Sequence, residues 1–272
     1  MKGSASAARW ASVSAMDWHR DALLAGAAAV AGAVNSIAGG GTLLSFPAAM
    51  AWGLPSTIAN ATNAVALMPG SFAAAWAYRR ELRTNVGLLR LLAGPAVVGG
   101  VAGAVLLHVT PVKVFDAIVP WLVLGATLLI LFQGRVAKAA TPAPVSAETS
   151  RRRSIAAACC QFGVGVYGGF FGAAMGIVTL AFIGLVVAGD IQYRNALKNL
   201  LSALINGVAS LYFVWAGLVN GRAAAIMVTG AIAGGYAGGL LARRTPASVV
   251  RALVVGIGLT LSALLAYRAW RG

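Results

Sequence analysis

Charge is what this chain mostly lacks. Only 10% of its 272 residues are Asp, Glu, Lys or Arg, against roughly a quarter in a soluble domain. Ala22 to Tyr78 contains no Asp, Glu, Lys, Arg or His, and neither does Ser154 to Gly189. Runs of that length exclude a soluble globular chain. A bilayer core of about 30 Å is crossed by roughly 20 apolar residues in a helix, and these stretches are long enough. Cysteine is almost missing too. Cys159 and Cys160 are adjacent and there is no second pair, which excludes a disulfide framework or a zinc spacing. The two read as small packed hydrophobes. Histidine and carboxylates are equally scarce. With two His and six acids scattered along the chain, no HExxH, GxSxG or paired-carboxylate spacing occurs. Catalytic residues, a metal site and a cofactor are therefore not expected. Gly163-Val-Gly165-Val-Tyr-Gly168 matches a dinucleotide-binding string, but it lies inside an uncharged apolar run rather than at a strand–turn–helix.

What remains is 60% hydrophobic and carries a net charge of +15. The basic residues sit between apolar runs instead of on one face, so nucleic acid is not the expected partner. They are the flanking charges that orient spans in a membrane, and lipid is the surrounding medium.

The chain also says the same thing twice. Ala96 to Pro111 and Ala231 to Pro246 are 135 residues apart and share eight of sixteen positions, among them Gly99/Gly234, Gly100/Gly235, Gly103/Gly238 and Pro111/Pro246. The same offset pairs Asn60-Ala61 with Asn195-Ala196. A constant offset over such a distance marks a duplicated unit. The expected fold is an all-α polytopic membrane protein of about eight transmembrane helices, in two homologous four-helix repeats. The first repeat covers 22–133, an inter-repeat loop 134–153, and the second repeat 154–268. The spans fall near 22–50, 58–78, 88–108, 114–133, 155–188, 199–216, 223–242 and 249–268. The first helix of each repeat is long and is broken by glycines. Eight spans put fifteen Lys/Arg on the side of the termini and six opposite, which places both termini in the cytoplasm. Breaking each first span into two crossings gives five per half, inverted repeats, and a split of fourteen to seven with the termini outside.

Asn35-Ser-Ile-Ala-Gly-Gly-Gly-Thr-Leu-Leu-Ser-Phe-Pro47 is the strongest local signal. Gly39, Gly40 and Gly41 weaken a helix within hydrocarbon, and freed backbone groups there must be paired or face a wet cavity. The helix end so created attracts anions. Flanking Asn35, Ser36 and Thr42 make a binding site the expectation, against simple close packing. The second half has Gly168, Gly172 and Gly176 at fourfold spacing, foremost a packing pattern, with Gly172 and Gly176 kept as substrate contacts. Gly99/Gly103 and Gly234/Gly238 lack polar neighbours and read as packing. The duplication sets Lys198 where Asn63 stands. A lysine near a span needs the interface, a cavity or a partner. One reading is snorkelling; the other is positive charge for an anion, with Asn63, Asn199 and Asn206 as donors. Asn199, Ser202 and Asn206 form a polar stripe that should face the protein interior.

These residues resemble the sulfite exporter TauE/SafE family of bacterial membrane transport proteins. The resemblance is carried by Gly32-Ala-Val-Asn-Ser-Ile-Ala-Gly-Gly-Gly-Thr-Leu-Leu-Ser-Phe-Pro47, Gly53-Leu-Pro55 and Ala61-Thr-Asn63. In the second half it is carried by Gly168-Gly-Phe-Phe-Gly172, Asp190 and Asn195-Ala-Leu-Lys-Asn199. Ala173-Ala-Met-Gly176 departs from the family's second glycine cluster, so the half-sites are expected to be unequal. The resemblance implies a transporter of the bacterial inner membrane that moves a small sulfur-containing anion, sulfite or an organosulfonate. Alternating access between two repeats is the expected mechanism. The alternatives are an anion channel, or a membrane protein that transports nothing: an assembly partner or a lipid-modifying enzyme.

Overall fold

The computed structural model describes residues 18–37, 40–84, 86–139, 150–186, 191–241 and 247–271. Ten α-helices occupy them: α1 (Trp18–Ile37), α2 (Thr42–Trp52), α3 (Ser56–Ala77), α4 (Val86–Val109), α5 (Val112–Ala139), α6 (Ser150–Phe170), α7 (Met175–Val186), α8 (Ile191–Trp215), α9 (Gly221–Leu241) and α10 (Ala247–Arg271). A 3₁₀ turn spans Glu81–Thr84, and the described residues contain no strand. The chain is an all-α, multi-pass membrane protein. Within α4, α5, α8 and α10, the stretches Gly87–Val109, Val112–Phe132, Gln192–Trp215 and Ser248–Tyr267 are each long and apolar enough to cross a bilayer alone. α5 and α6 reach into both ends of the expected loop 134–153.

Where eight spans are expected, ten helices form among the described residues, because the chain breaks at both glycine clusters, and the first break is a reversal and not a kink. At the far end of α2, Trp52 Nε1 donates to Asp21 Oδ1 in the first turn of α1, at 2.9 Å. At the near end, Gly41 lies so close to Ala31 that an added Cβ would collide with the Ala31 carbonyl. Late residues of α2 therefore lie beside early residues of α1, and the two helices are antiparallel. The chain returns to the face it came from. α2 then closes on Gly53, at φ 123°, which a residue with a Cβ rarely adopts. The amides of Gly53 and Leu54 cap the carbonyls of Met50 and Ala49.

Small residues decide the remaining packing. Gly230, Gly234 and Gly238 of α9 abut Ala25, Ala29 and Ala33 of α1, in that order, so these helices run parallel with their backbones in contact. Gly99 and Gly103 of α4 meet α6 in the same way, at Phe162 to Gly165 and Val166 to Phe170. Each glycine pair thus packs against the first helix of the opposite half. α3 crosses α8 antiparallel: Ser71 and Phe72 meet Asn206 and Gly207, while Thr62 Oγ1 accepts the amide of Asn220. α5 and α10 are antiparallel too, with Thr127 on Gly258 and Ser262 Oγ on the Pro120 carbonyl. Trp76, Trp121, Trp215 and Tyr236 point outward, as side chains facing lipid do. Cys159 and Cys160 are exposed on α6 rather than packed inside. An apolar thiol gains nothing by burial when the surroundings are already hydrocarbon.

Candidate functional site

The second break follows Phe170, where α6 stops. Gly172 stands at φ 73° and Ala174 at φ 57°. A left-handed alanine is strained, and its neighbours hold it. The Tyr167 hydroxyl donates to the Ala173 carbonyl. Phe171 packs edge-on against Phe46 of α2 at 5.7 Å, and Phe170 against Phe115 of α5 at 5.5 Å. Asn60 of α3 donates its Nδ2 to the Phe170 carbonyl at 2.9 Å. A backbone acceptor freed by the break is thereby satisfied from the other half of the chain, as hydrocarbon requires.

The first reversal is secured differently. Asn35 Oδ1 accepts the Gly41 amide at 2.7 Å, and Ser45 Oγ donates to the Gly41 carbonyl. Gly40 has φ 90°, and an added Cβ there would run into Ile130. Gly40 and Gly41 thus permit a tight reversal against α5 and α10. Its Gly41 amide already has a partner in Asn35, so that amide is committed to structure.

Between these breaks lies a cavity of about 30 Å³, room for one or two waters or a group of that size. Thr42, Asn60 and Asn63 line it from the first half, and Gly168, Phe171, Gly172 and Asn206 from the second. Thr42 is the first residue of α2, so the positive end of that helix dipole lies at the wall. Asn63 is 2% exposed, and its Oδ1 is buried without a partner. Asn206 Nδ2 donates to Ser71 Oγ at 3.1 Å. The lining is polar, uncharged and drawn from both halves.

Of the residues expected at a site, Thr42, Asn63, Gly172 and Asn206 converge here. Asn35, Gly40 and Gly41 build the reversal at its edge. Gly39 and the side chain of Ser36 lie outside the described residues. Gly176, Lys198, Asn199 and Ser202 do not line the cavity; Lys198 lies instead beside Gly176, its Cδ 3.8 Å from where a Cβ on that glycine would stand. Asn60, Gly168 and Phe171 were not among the expected contacts. Asn60 opens the duplicated Asn-Ala pair, the signal that could have found it.

A helix pair broken at glycine in each half and a polar cavity between the halves are the features of a helical membrane transporter. The family model described as Sulfite exporter TauE/SafE matches residues 24–265, and the chain belongs to that family. It is 31% identical over 248 residues to the Probable membrane transporter protein YfcA of Escherichia coli (strain K12), covering 88% of this chain and 87% of the relative. It is 26% identical over 251 residues to a Probable membrane transporter protein of Haemophilus influenzae, covering 88% and 91%. A third relative, the Probable membrane transporter protein ORF9 of Sinorhizobium sp, is 27% identical over 251 residues, covering 90% and 92%. No solved structure matches the chain. The protein is a membrane transporter and not an enzyme.

Proposed function

We propose that this transporter exports a small sulfur-containing oxyanion, sulfite or an organosulfonate, across the bacterial inner membrane by alternating access. The observation that carries the reading is the cavity lined by Thr42, Asn60, Asn63, Gly172 and Asn206 from both halves. The Asn63 amide, the second amide hydrogens of Asn60 and Asn206, and the N-terminus of α2 supply donors for an oxyanion without a fixed ion pair that would hold it too long. Export of an anion down an inside-negative potential gains about 2.3 kcal/mol per charge per 100 mV, so no nucleotide is required.

The two halves, 22–133 and 154–268, are on this reading two copies of one unit inserted in opposite orientations. The antiparallel crossings of α3 with α8 and of α5 with α10 support it, because an axis in the membrane plane relates such pairs. Threading ten helices puts fourteen Lys/Arg opposite the termini and seven with them. The positive-inside rule then sets both termini outside, reversing the orientation expected from eight spans.

Labelled sulfite efflux from proteoliposomes, with and without an imposed potential, tests the function. Saturable, potential-sensitive efflux that is stimulated by trans sulfite is expected. Flux that never saturates would make the protein a channel. No flux of sulfite or of any sulfonate through folded protein would overturn the reading.

A further inference from the structure

The apolar helix α8 carries polar side chains at every fourth position: Arg194, Lys198, Ser202 and Asn206. Residues four apart are neighbours on one helix surface, so the row climbs from the start of α8 to the cavity, which Asn206 lines. Below the cavity two of its polar atoms lack a partner. Ser202 Oγ and Arg194 Nε are buried without a hydrogen-bond partner. Lys198 is half-buried against Gly176, and among the described residues no carboxylate pairs with Lys198 or Arg194. Two basic side chains and a buried hydroxyl thus share one face of α8 with no carboxylate paired to them among the described residues, and a lysine placed within a span calls for the interface, a cavity or a partner such as an anion.

Position 198 is also the duplicate of position 63. Asn63 precedes Ser71 by eight residues, and Lys198 precedes Asn206 by eight, or about 12 Å of helix in each case. Because α3 and α8 are antiparallel and Ser71 touches Asn206, these two arms point in opposite directions. We infer that Lys198, with Ser202 and Arg194, forms a second oxyanion-binding station on the far side of the Ser71–Asn206 contact from the Asn60/Asn63 cavity. Resting on the transport reading, the substrate passes from one station to the other across that contact. The stations are unequal: one is neutral, the other cationic.

The test uses the purified full-length protein in nanodiscs, with labelled sulfite as the probe, and orientation-sorted proteoliposomes. Lys198→Asn, which copies the first half, is expected to bind sulfite about tenfold more weakly, with Lys198→Arg near wild type. Its KM should rise for sulfite presented on the side of the α8 N-terminus and stay unchanged on the other. Ser202→Leu reads the same station should Lys198→Asn fail to yield monodisperse protein. Binding unaffected by both variants, or a KM raised equally from both sides, would overturn the station and leave Lys198 a snorkelling residue. Lys198-dependent binding in a wild-type protein that moves no sulfite would keep the station and remove the transport reading. Normal flux with Lys198-independent binding would do the opposite.

Discussion

Asn206 donates its amide to the hydroxyl of Ser71 at 3.1 Å, and these are the same position in the two copies of the duplicated unit, 135 residues apart. On the inverted-repeat reading proposed above, a residue that touches its own duplicate lies on the axis relating the copies. The contact lies between the cavity residue Asn63 and Lys198 along the two helices, and on the proposed alternating-access reading it must open.

That motion can be blocked. With Cys159 and Cys160 replaced by Ala, Ser71→Cys combined with Asn206→Cys places two thiols where the side chains already meet. Oxidation should stop efflux and reduction restore it, read as labelled sulfite flux with cross-linking followed by a gel shift. Efflux persisting in fully cross-linked protein would show that this contact does not move.

The two asparagines of the cavity should separate stability from transport. Asn60→Ala strips the Phe170 carbonyl of its donor, a buried loss of about 1–3 kcal/mol, and should lower the midpoint of thermal unfolding in detergent. Asn63→Ala removes a side chain whose buried oxygen has no partner, so its unfolding midpoint should stay near wild type, while loss of its Nδ2 donor raises KM for sulfite. Equal destabilisation by both would contradict this division.

Glycines should sort by what faces them. Gly103→Val and Gly234→Val push a side chain into the opposing helix backbone, and overpacking of this kind costs about 1–3 kcal/mol or more. Gly26→Ala and Gly125→Ala meet no atom within 4 Å and should be neutral or slightly stabilising. Thermal unfolding of the four variants provides the comparison.

Topology is directly accessible to labelling. The α1–α2 hairpin returns the chain to the face of its entry, so Gly53→Cys should react with an impermeant thiol reagent from the same side as Trp18→Cys. Labelling from opposite sides would restore one continuous first span.

Asp21 sits in the first turn of α1, ahead of the uncharged run. The hydrogen bond from Arg222, and then that from Trp52, hold its carboxyl below the usual carboxylate range, with burial opposing. A depressed carboxylate stabilises the fold above its unfolded pKa of about 4, and that contribution fades as pH falls through the lower folded value. The unfolding midpoint should therefore be flat from pH 8 to 6 and fall below about pH 4, more steeply in wild type than in Asp21→Asn. Because the pair is partly exposed, high salt should shrink the difference.

Sequence alone determined the class of this protein. Uncharged runs longer than a bilayer permit nothing but helices in hydrocarbon, and the repeated Gly99/Gly103 and Gly234/Gly238 spacing marked surfaces where helices meet. Thr42, Asn63, Gly172 and Asn206 were legible as candidates because polar groups beside a glycine break need partners, and the fold brings these four around one cavity. Two things were not legible. A glycine break has the same composition whether the helix kinks or turns back, and only the Asp21–Trp52 and Ala31–Gly41 contacts decide for reversal. Nor could spacing along α8 show that Asn206 joins the cavity while Lys198 stands apart from it. That separation comes from the antiparallel crossing of α3 and α8, which carries equivalent residues of the two halves to opposite sides of one contact.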